Sequence, residues 1–450
     1  MGLSRSGGVS AAACWRIAVA VWSLFALIIA ALTLASHDEV RLTDPSWTRL
    51  VGSIVSRHPD GSITFRVRES GDQPAEVRTL RPDEIGVLAP YGHRSVTGNY
   101  RAASEHWRRG EPLYTSSVHG FLYPPQAALV FLPFGLLPHG AGEVLWRWAG
   151  IVAYAAGVWV LCRRLVPGRA VEAFVWASAL SCFAAMGSAR NGQANLVMAG
   201  LLALGAVDAS NRRFWRSTLW LMLALACKPV AAPVVLLLAA AYPRLIWPLA
   251  VGGAALLAAP FIHPDPVYVL EQYGASLSKM RAAAAPGAEG LVFSDLRGML
   301  RDFGVTIGES AMLPVRAGAA IACLGLCVWI ARRTAEPDRV VGVLTLGLVY
   351  TLVFGPRTEG VTYALIGPVA GVLFAGAILS GRWTRAVMLG AYGLVLQFSM
   401  LVTDPLTGRE RKYWLRPLLT LAVGAMVVVD ASLSRRHSSG DGPSTRPTPG

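Results

Sequence analysis

Few ionisable residues interrupt the apolar stretches of this 450-residue chain, and Lys228 is the most conspicuous of them. It lies in LALACKPVAAPVV, with Pro229 and Pro233 just behind it. Proline removes a backbone donor and disfavours helix at the residue before it, so a helix should break here. A lysine at such a break can hold its ammonium toward an anionic group. It can also snorkel or pair with a neighbouring carbonyl. The turn SARNGQAN groups Arg190, Asn191, Gln193 and Asn195 ahead of an apolar run. Arginine beside a helix N-terminus suits a phosphate, and a plain polar turn between helices uses the same residue types. GPRTEGVTY sets Arg357 and Glu359 between two apolar runs, either as an internal ion pair or as contacts to a pyrophosphate or sugar. VFSDLRGML adds Asp295 in a polar segment, a weaker signal. Cations of this kind would hold phosphate, and a carboxylate would take the proton of an attacking hydroxyl. No Walker loop, dinucleotide glycine motif, HExxH or Ser/His/Asp motif is present.

The elements that must position these residues are membrane helices. Hydrophobic residues make up 54% of the chain and charged ones 15%, in apolar runs near the roughly 20 residues a crossing helix needs. The pattern predicts an all-α polytopic membrane protein with about eleven to thirteen segments. The formal charge of +14 does not point to nucleic acid, because the arginines fall in short clusters between apolar runs. Arg163/Arg164, Arg212/Arg213, Arg332/Arg333 and Arg382/Arg385 are such clusters, and the positive-inside bias assigns them to the cytoplasm. Lysine occurs only as Lys228, Lys279 and Lys412. The six cysteines lie in or beside apolar runs without zinc-finger spacing, and they read as small core residues.

Residues 1–35 read as a cytoplasmic leader and a retained first helix, and 36–120 as an extracytoplasmic loop. Within that loop GSIVSRHPDGSITFRVRESGDQPAEVRTL alternates around the turn signals Pro59-Asp60-Gly61 and Gly71-Asp72, which predicts a small β-meander. Residues 121–261 form the membrane core, 262–310 a second outer loop, 311–433 the C-terminal spans and 434–450 a disordered tail. GFLYPPQAALVFLPFGLLP (120–138) is ambiguous. Either it re-enters without crossing and 216–242 is a hairpin broken at Lys228-Pro229, or both segments cross. Positive-inside counting favours the first arrangement and apolar length the second.

Taken in order, NYRAASEHW, GEPLY, GFLYPP with its apolar run to LLP, GQANLVMAGLLALGA and LMLALACKPVAAPVVLLLAAA resemble glycosyltransferase family 87. The resemblance covers most of 99–260 and reaches weakly to GPRTEGVTY. It implies a GT-C-like membrane fold and transfer of a mannose-like sugar from a polyprenyl-phosphate donor to a lipid or glycan acceptor. Transfer would occur on the extracytoplasmic face of a bacterial inner membrane, with no cofactor, no metal and no nucleic acid, among membrane lipids. The expected donor and acceptor contacts are Tyr100, Arg101, Tyr123, Arg190, Gln193, Asn195, Lys228 and Arg357. One departure stands out: the family's acid a few residues before the tyrosine is missing from RSVTGN. The family's histidine-bearing turn is likewise replaced, with Arg357, Glu359 and Thr362 near its place. Glu105 is the first candidate for a relocated base, then Glu359, then Asp295 in a loop that would close over substrate. The alternative functions are a carrier or flippase for a lipid-linked or anionic substrate, and a catalytically silent family member.

Overall fold

The computed structural model describes residues 10–34, 37–44, 48–67, 76–91, 96–114, 120–284, 293–407 and 413–438. The expected basic leader, the Gly71-Asp72 turn and most of the expected disordered tail lie outside these residues. Helix α1 (Ala11–Leu34) leads to an antiparallel sheet of β1 (His37–Leu42), β2 (Arg49–Arg57), β3 (Ile63–Val67), β4 (Glu76–Leu80) and β5 (Ile85–Tyr91). The strand order is β4-β3-β2-β1-β5, so the expected meander is larger than its alternation pattern indicated and β5 closes beside β1. Val40, Leu50, Ile63, Phe65, Val67 and Leu80 form its core. The β2–β3 turn is set by Gly61 at φ +83° and by Asp60, whose carboxylate accepts from the Ser62 amide at 3.0 Å and hydroxyl at 2.7 Å.

Two short helices follow, α2 (Thr97–Arg109) and α3 (Pro125–Gly135). Pro124 is extended and Pro125 opens α3, where a missing amide costs nothing. Both ends of α3 lie at the same end of the bundle: Tyr123 before it stands against Lys228, and the helix after it starts beside the Arg190 turn and runs from there to Arg164. The proline-rich segment is therefore re-entrant. The Arg101 guanidinium donates to the carbonyls of Gly135 at 2.7 Å, Leu137 at 3.0 Å and Phe134 at 3.3 Å. Those are the carbonyls a helix C-terminus leaves open.

The bundle proper comprises α4 (His139–Leu165), α5 (Ala170–Asn191), α6 (Asn195–Ser210), α7 (Phe214–Cys227), α8 (Ala232–Ala241) and α9 (Ile246–Ala258). After the outer helices α10 (Pro266–Ala284) and α11 (Leu296–Asp302) it continues with α12 (Glu309–Arg333), α13 (Asp338–Val349), α14 (Gly367–Leu379), α15 (Trp383–Thr407) and α16 (Leu415–Ser438). Cross-bundle contacts fix which ends lie together. At one end Tyr242, after α8, donates to Glu336 at 2.6 Å, and Arg164 of α4 lies 3.6 Å from the same carboxylate. Arg169 reaches the Leu379 carbonyl at 3.1 Å, Arg216 pairs with Asp208 at 2.9 Å, and Arg385 with Asp430 at 2.6 Å. At the other end Lys228 meets Asn195, Arg316 meets the Phe354 carbonyl, and Arg416 meets the Leu396 carbonyl. Consecutive helices thus alternate in direction, and α7 and α8 form a hairpin broken at Lys228-Pro229.

Among the described residues seven helical segments are long and apolar enough to cross a membrane, among them α1, α4, Pro243–Ile262 around α9, α12 and α16. Shorter helices such as α6, α7 and α8 run between the same two ends. Packing is close where α4 crosses α6. A Cβ on Gly200 would lie 2.0 Å from the Ala153 carbonyl oxygen, and one on Gly157 would lie 2.8 Å from the Gly200 Cα. Small residues permit this approach of backbones in membrane helices, where packing rather than a hydrophobic drive holds helices together.

Candidate active site

Three interruptions of helical backbone converge at the end opposite the arginine clusters. The first is the turn between α5 and α6. Gly192 ends α5 in the left-handed region at φ +67°, and a Cβ there would meet Thr97 Cγ2 at 2.6 Å and Arg147 Nη2 at 2.9 Å. Glycine is required on both counts. The second is the α7–α8 break, where Pro229 drives Lys228 to φ −155°, ψ 132°. The third lies between α13 and α14, where a π-helical segment (Tyr350–Phe354) and a 3-10 segment (Gly360–Ile366) flank a turn with Arg357 at φ +58°. Non-helical backbone at membrane depth survives where protein groups satisfy it. Here Asn195 Nδ2 does so, donating to the Val361 carbonyl at 3.2 Å.

Lys228 sits at the centre and is 8% exposed. Its ammonium donates to Gln193 Oε1 at 3.0 Å and Asn195 Oδ1 at 2.9 Å, and it stands 5.4 Å above the Tyr123 ring. Asn195 Nδ2 also donates to Gln193 Oε1 at 2.7 Å. On its other side Gln193 Nε2 donates to Glu359 Oε2 at 2.7 Å, so the two partners fix the orientation of the amide. Lysine and glutamate are therefore joined through one amide, not in direct contact. The ammonium is held by amide oxygens and an aromatic face, which leave its charge uncancelled.

Below Lys228 an aromatic wall fixes Tyr123. Tyr100 packs at 5.6 Å from Tyr123, 5.6 Å from Phe131 and 5.9 Å from Trp146. Trp146 in turn donates to the Gly192 carbonyl at 2.7 Å, tying the wall to the first turn. Glu359 is exposed at the edge of the cluster, and Arg357 lies with its guanidinium 5.1 Å from the Phe293 ring. Arg190 is exposed on the same turn as Gln193, and its carbonyl accepts from Arg147 at 3.3 Å.

Tyr123, Gln193, Asn195, Lys228 and Glu359 thus meet, with Tyr100 behind Tyr123 and Arg190 and Arg357 on the flanking turns. Three other residues fall elsewhere. Arg101 is committed to the end of α3. Glu105 lies roughly 140° around α2 from Tyr100, away from the aromatic wall. It lines a separate groove of about 390 Å³ with Arg101, Arg108, Leu132 and Pro138. Asp295 is not in an open loop: it is 5% exposed and caps α11, accepting from the Gly298 amide at 2.9 Å. That segment packs behind the third turn, with the Ser294 amide donating to the Thr358 carbonyl at 2.7 Å.

Two charged features of the site were not anticipated. Arg147 and Glu143, one helical turn apart on α4, form a buried ion pair at 2.5 Å, and the Thr97 hydroxyl donates to the same glutamate. The pair clamps the start of α2 and the Arg190–Gly192 backbone. Its signal was present in GEVLWRWAG, opposite charges four apart inside an apolar run. Arg416, in α16, lies against Gly360, where its Nη1 would be 2.3 Å from an added Cβ. It backs the turn that carries Glu359.

No curated protein sequence matches the chain significantly. The profile described as glycosyltransferase family 87 matches residues 121–356, just over half of the chain, including the proline-rich segment from Phe121, the α5–α6 turn and the α7–α8 break, and it ends just before Arg357 and Glu359. This integral-membrane chain belongs to glycosyltransferase family 87 and is a glycosyltransferase.

Proposed function

We propose that the enzyme transfers a mannose-like sugar from a polyprenyl-phosphate donor to a lipid or glycan acceptor on the extracytoplasmic face of a bacterial inner membrane. The observation that carries this reading is Lys228: a nearly buried ammonium, held by two neutral amides, whose charge no contacting carboxylate among the described residues cancels. A desolvated cation of this kind is costly without a counter-charge, and the phosphate of a lipid-linked donor supplies one. The arginine clusters at the opposite end support the sidedness, since the positive-inside bias assigns that end to the cytoplasm.

In the proposed reaction an acceptor hydroxyl oxygen attacks the anomeric carbon, and the bond from that carbon to the donor phosphate oxygen breaks. The electron pair leaves with the polyprenyl phosphate, whose new charge Lys228 stabilises, with Arg190 and Arg357 on the flanking turns. The hydroxyl proton passes to the Glu359 carboxylate, one amide away from Lys228. Tyr123 and Tyr100 offer an aromatic wall for the sugar. Glu105 and Arg101 take no part in this scheme, because they face the separate groove at the end of α3.

The test is donor choice in proteoliposomes carrying the purified enzyme. Labelled polyprenyl-phosphate hexose should yield a labelled acceptor with no nucleotide present. Transfer from a nucleotide sugar alone, or movement of the lipid across the bilayer without a new glycosidic bond, would reject the proposal.

A further inference from the structure

A cavity of about 600 Å³ opens at the arginine-rich end of the bundle, between α4, α13, α14, α15 and α16. It lies at the opposite end from Lys228 and shares no residue with that site. Among the described residues its mouth carries four charged side chains, Asp338, Arg382, Arg385 and Asp430. Its depth is apolar, because Val341 and Val427 lie about one helical turn further in than Asp338 and Asp430. The size is in the usual range for small-molecule sites, about 300–1,000 Å³.

The four charges are not equivalent. Arg385 and Asp430 pair at 2.6 Å and cancel each other. Asp338 and Arg382 have no side-chain hydrogen bond or ion pair among the described residues. Among the described residues one cation and one anion are thus left at the mouth of a pocket with apolar walls. A purely anionic amphiphile would satisfy Arg382 and set a negative headgroup beside Asp338. A cationic one would do the reverse. A headgroup carrying both a phosphate and a primary ammonium satisfies both, with its first methylenes against the valines.

From this juxtaposition we infer that the cavity is a binding site for an aminophospholipid. The phosphate would accept from Arg382, the ammonium would donate to Asp338, and the chains would lie along Val341 and Val427. The site is independent of the transfer reaction and would hold whatever the donor sugar proves to be.

The experiment reconstitutes the protein in nanodiscs of equal phosphatidylethanolamine and phosphatidylglycerol, extracts it gently and counts retained lipid by native mass spectrometry. Wild type should retain phosphatidylethanolamine in preference. Asp338→Asn should lower that preference about tenfold, the loss of one charge-assisted hydrogen bond. Arg382→Gln should reduce retention of both lipids. Gly376→Leu keeps all four charges and fills the space: Gly376 lines the cavity, and a Cβ there meets nothing within 4 Å. It should abolish retention in protein that remains monodisperse. Preference for phosphatidylglycerol in wild type would overturn the inference. So would a lipid ratio unmoved by Asp338→Asn, or retention unmoved by Gly376→Leu.

Discussion

Replacing Lys228 by methionine keeps the length and apolar stem of the side chain and removes only the ammonium. In the resting protein Gln193 Oε1 keeps its 2.7 Å bond from Asn195, so only Asn195 Oδ1 loses its donor. One buried acceptor left unpaired costs about 1–3 kcal/mol. The desolvation cost of the ammonium disappears with it, which offsets part of that loss. The variant should therefore fold, with a modestly lowered melting temperature. Donor binding is affected differently, because the amides and the Tyr123 ring that hold the ammonium carry no charge of their own. Losing one charge-assisted hydrogen bond to the phosphate removes about 1.5–3 kcal/mol, or roughly ten- to a hundredfold in Kd. Titration of polyprenyl phosphate into nanodisc-embedded wild type and Lys228→Met measures this directly. An unchanged Kd in a monodisperse variant would refute the assignment of Lys228 to the phosphate.

Glu359→Gln should slow transfer about 10²–10⁴-fold while donor affinity holds, whereas Glu105→Gln should turn over near the parent rate; the reverse pattern in steady-state assays would move the base to the α3 groove. Arg147→Met alone should destabilise by about 3–5 kcal/mol by removing the guanidinium from buried Glu143, and Glu143→Leu/Arg147→Met should recover much of that in thermal melts. Gly200→Leu should yield no monodisperse protein by size exclusion, because its Cβ would fall 2.0 Å from the Ala153 carbonyl oxygen.

What the sequence could reveal divides along the range of the interactions involved. The break at Lys228 was legible because proline acts on the residue beside it. The fate of the proline-rich segment was not, since its apolar run suits crossing and re-entry alike. Its resolution needed Arg101 to cap a helix end more than thirty residues away. Strands β1 and β5 escaped notice because HDEVRL is charge-rich and IGVLAPY carries a proline, so neither alternates cleanly. Glu105 ranked high through its nearness to Tyr100 in sequence, but five residues along a helix turn a side chain to another face. The Gln193–Glu359 bond joins residues 166 apart, and no local pattern announces such a meeting. The Glu143–Arg147 pair was visible as spacing, but its role depends on a turn that arrives from α5.

The central claim is that the donor phosphate lies among Tyr123, Gln193, Asn195 and Lys228. A polyprenyl-phosphate analogue with a photoreactive group beside its phosphate, cross-linked in proteoliposomes and mapped by mass spectrometry, tests it most directly. Adducts are expected on peptides containing Tyr123, Gln193 or Lys228, displaced by unlabelled polyprenyl phosphate. Displaceable adducts confined to the groove of Glu105 and Pro138, or to the arginine-rich end, would contradict it.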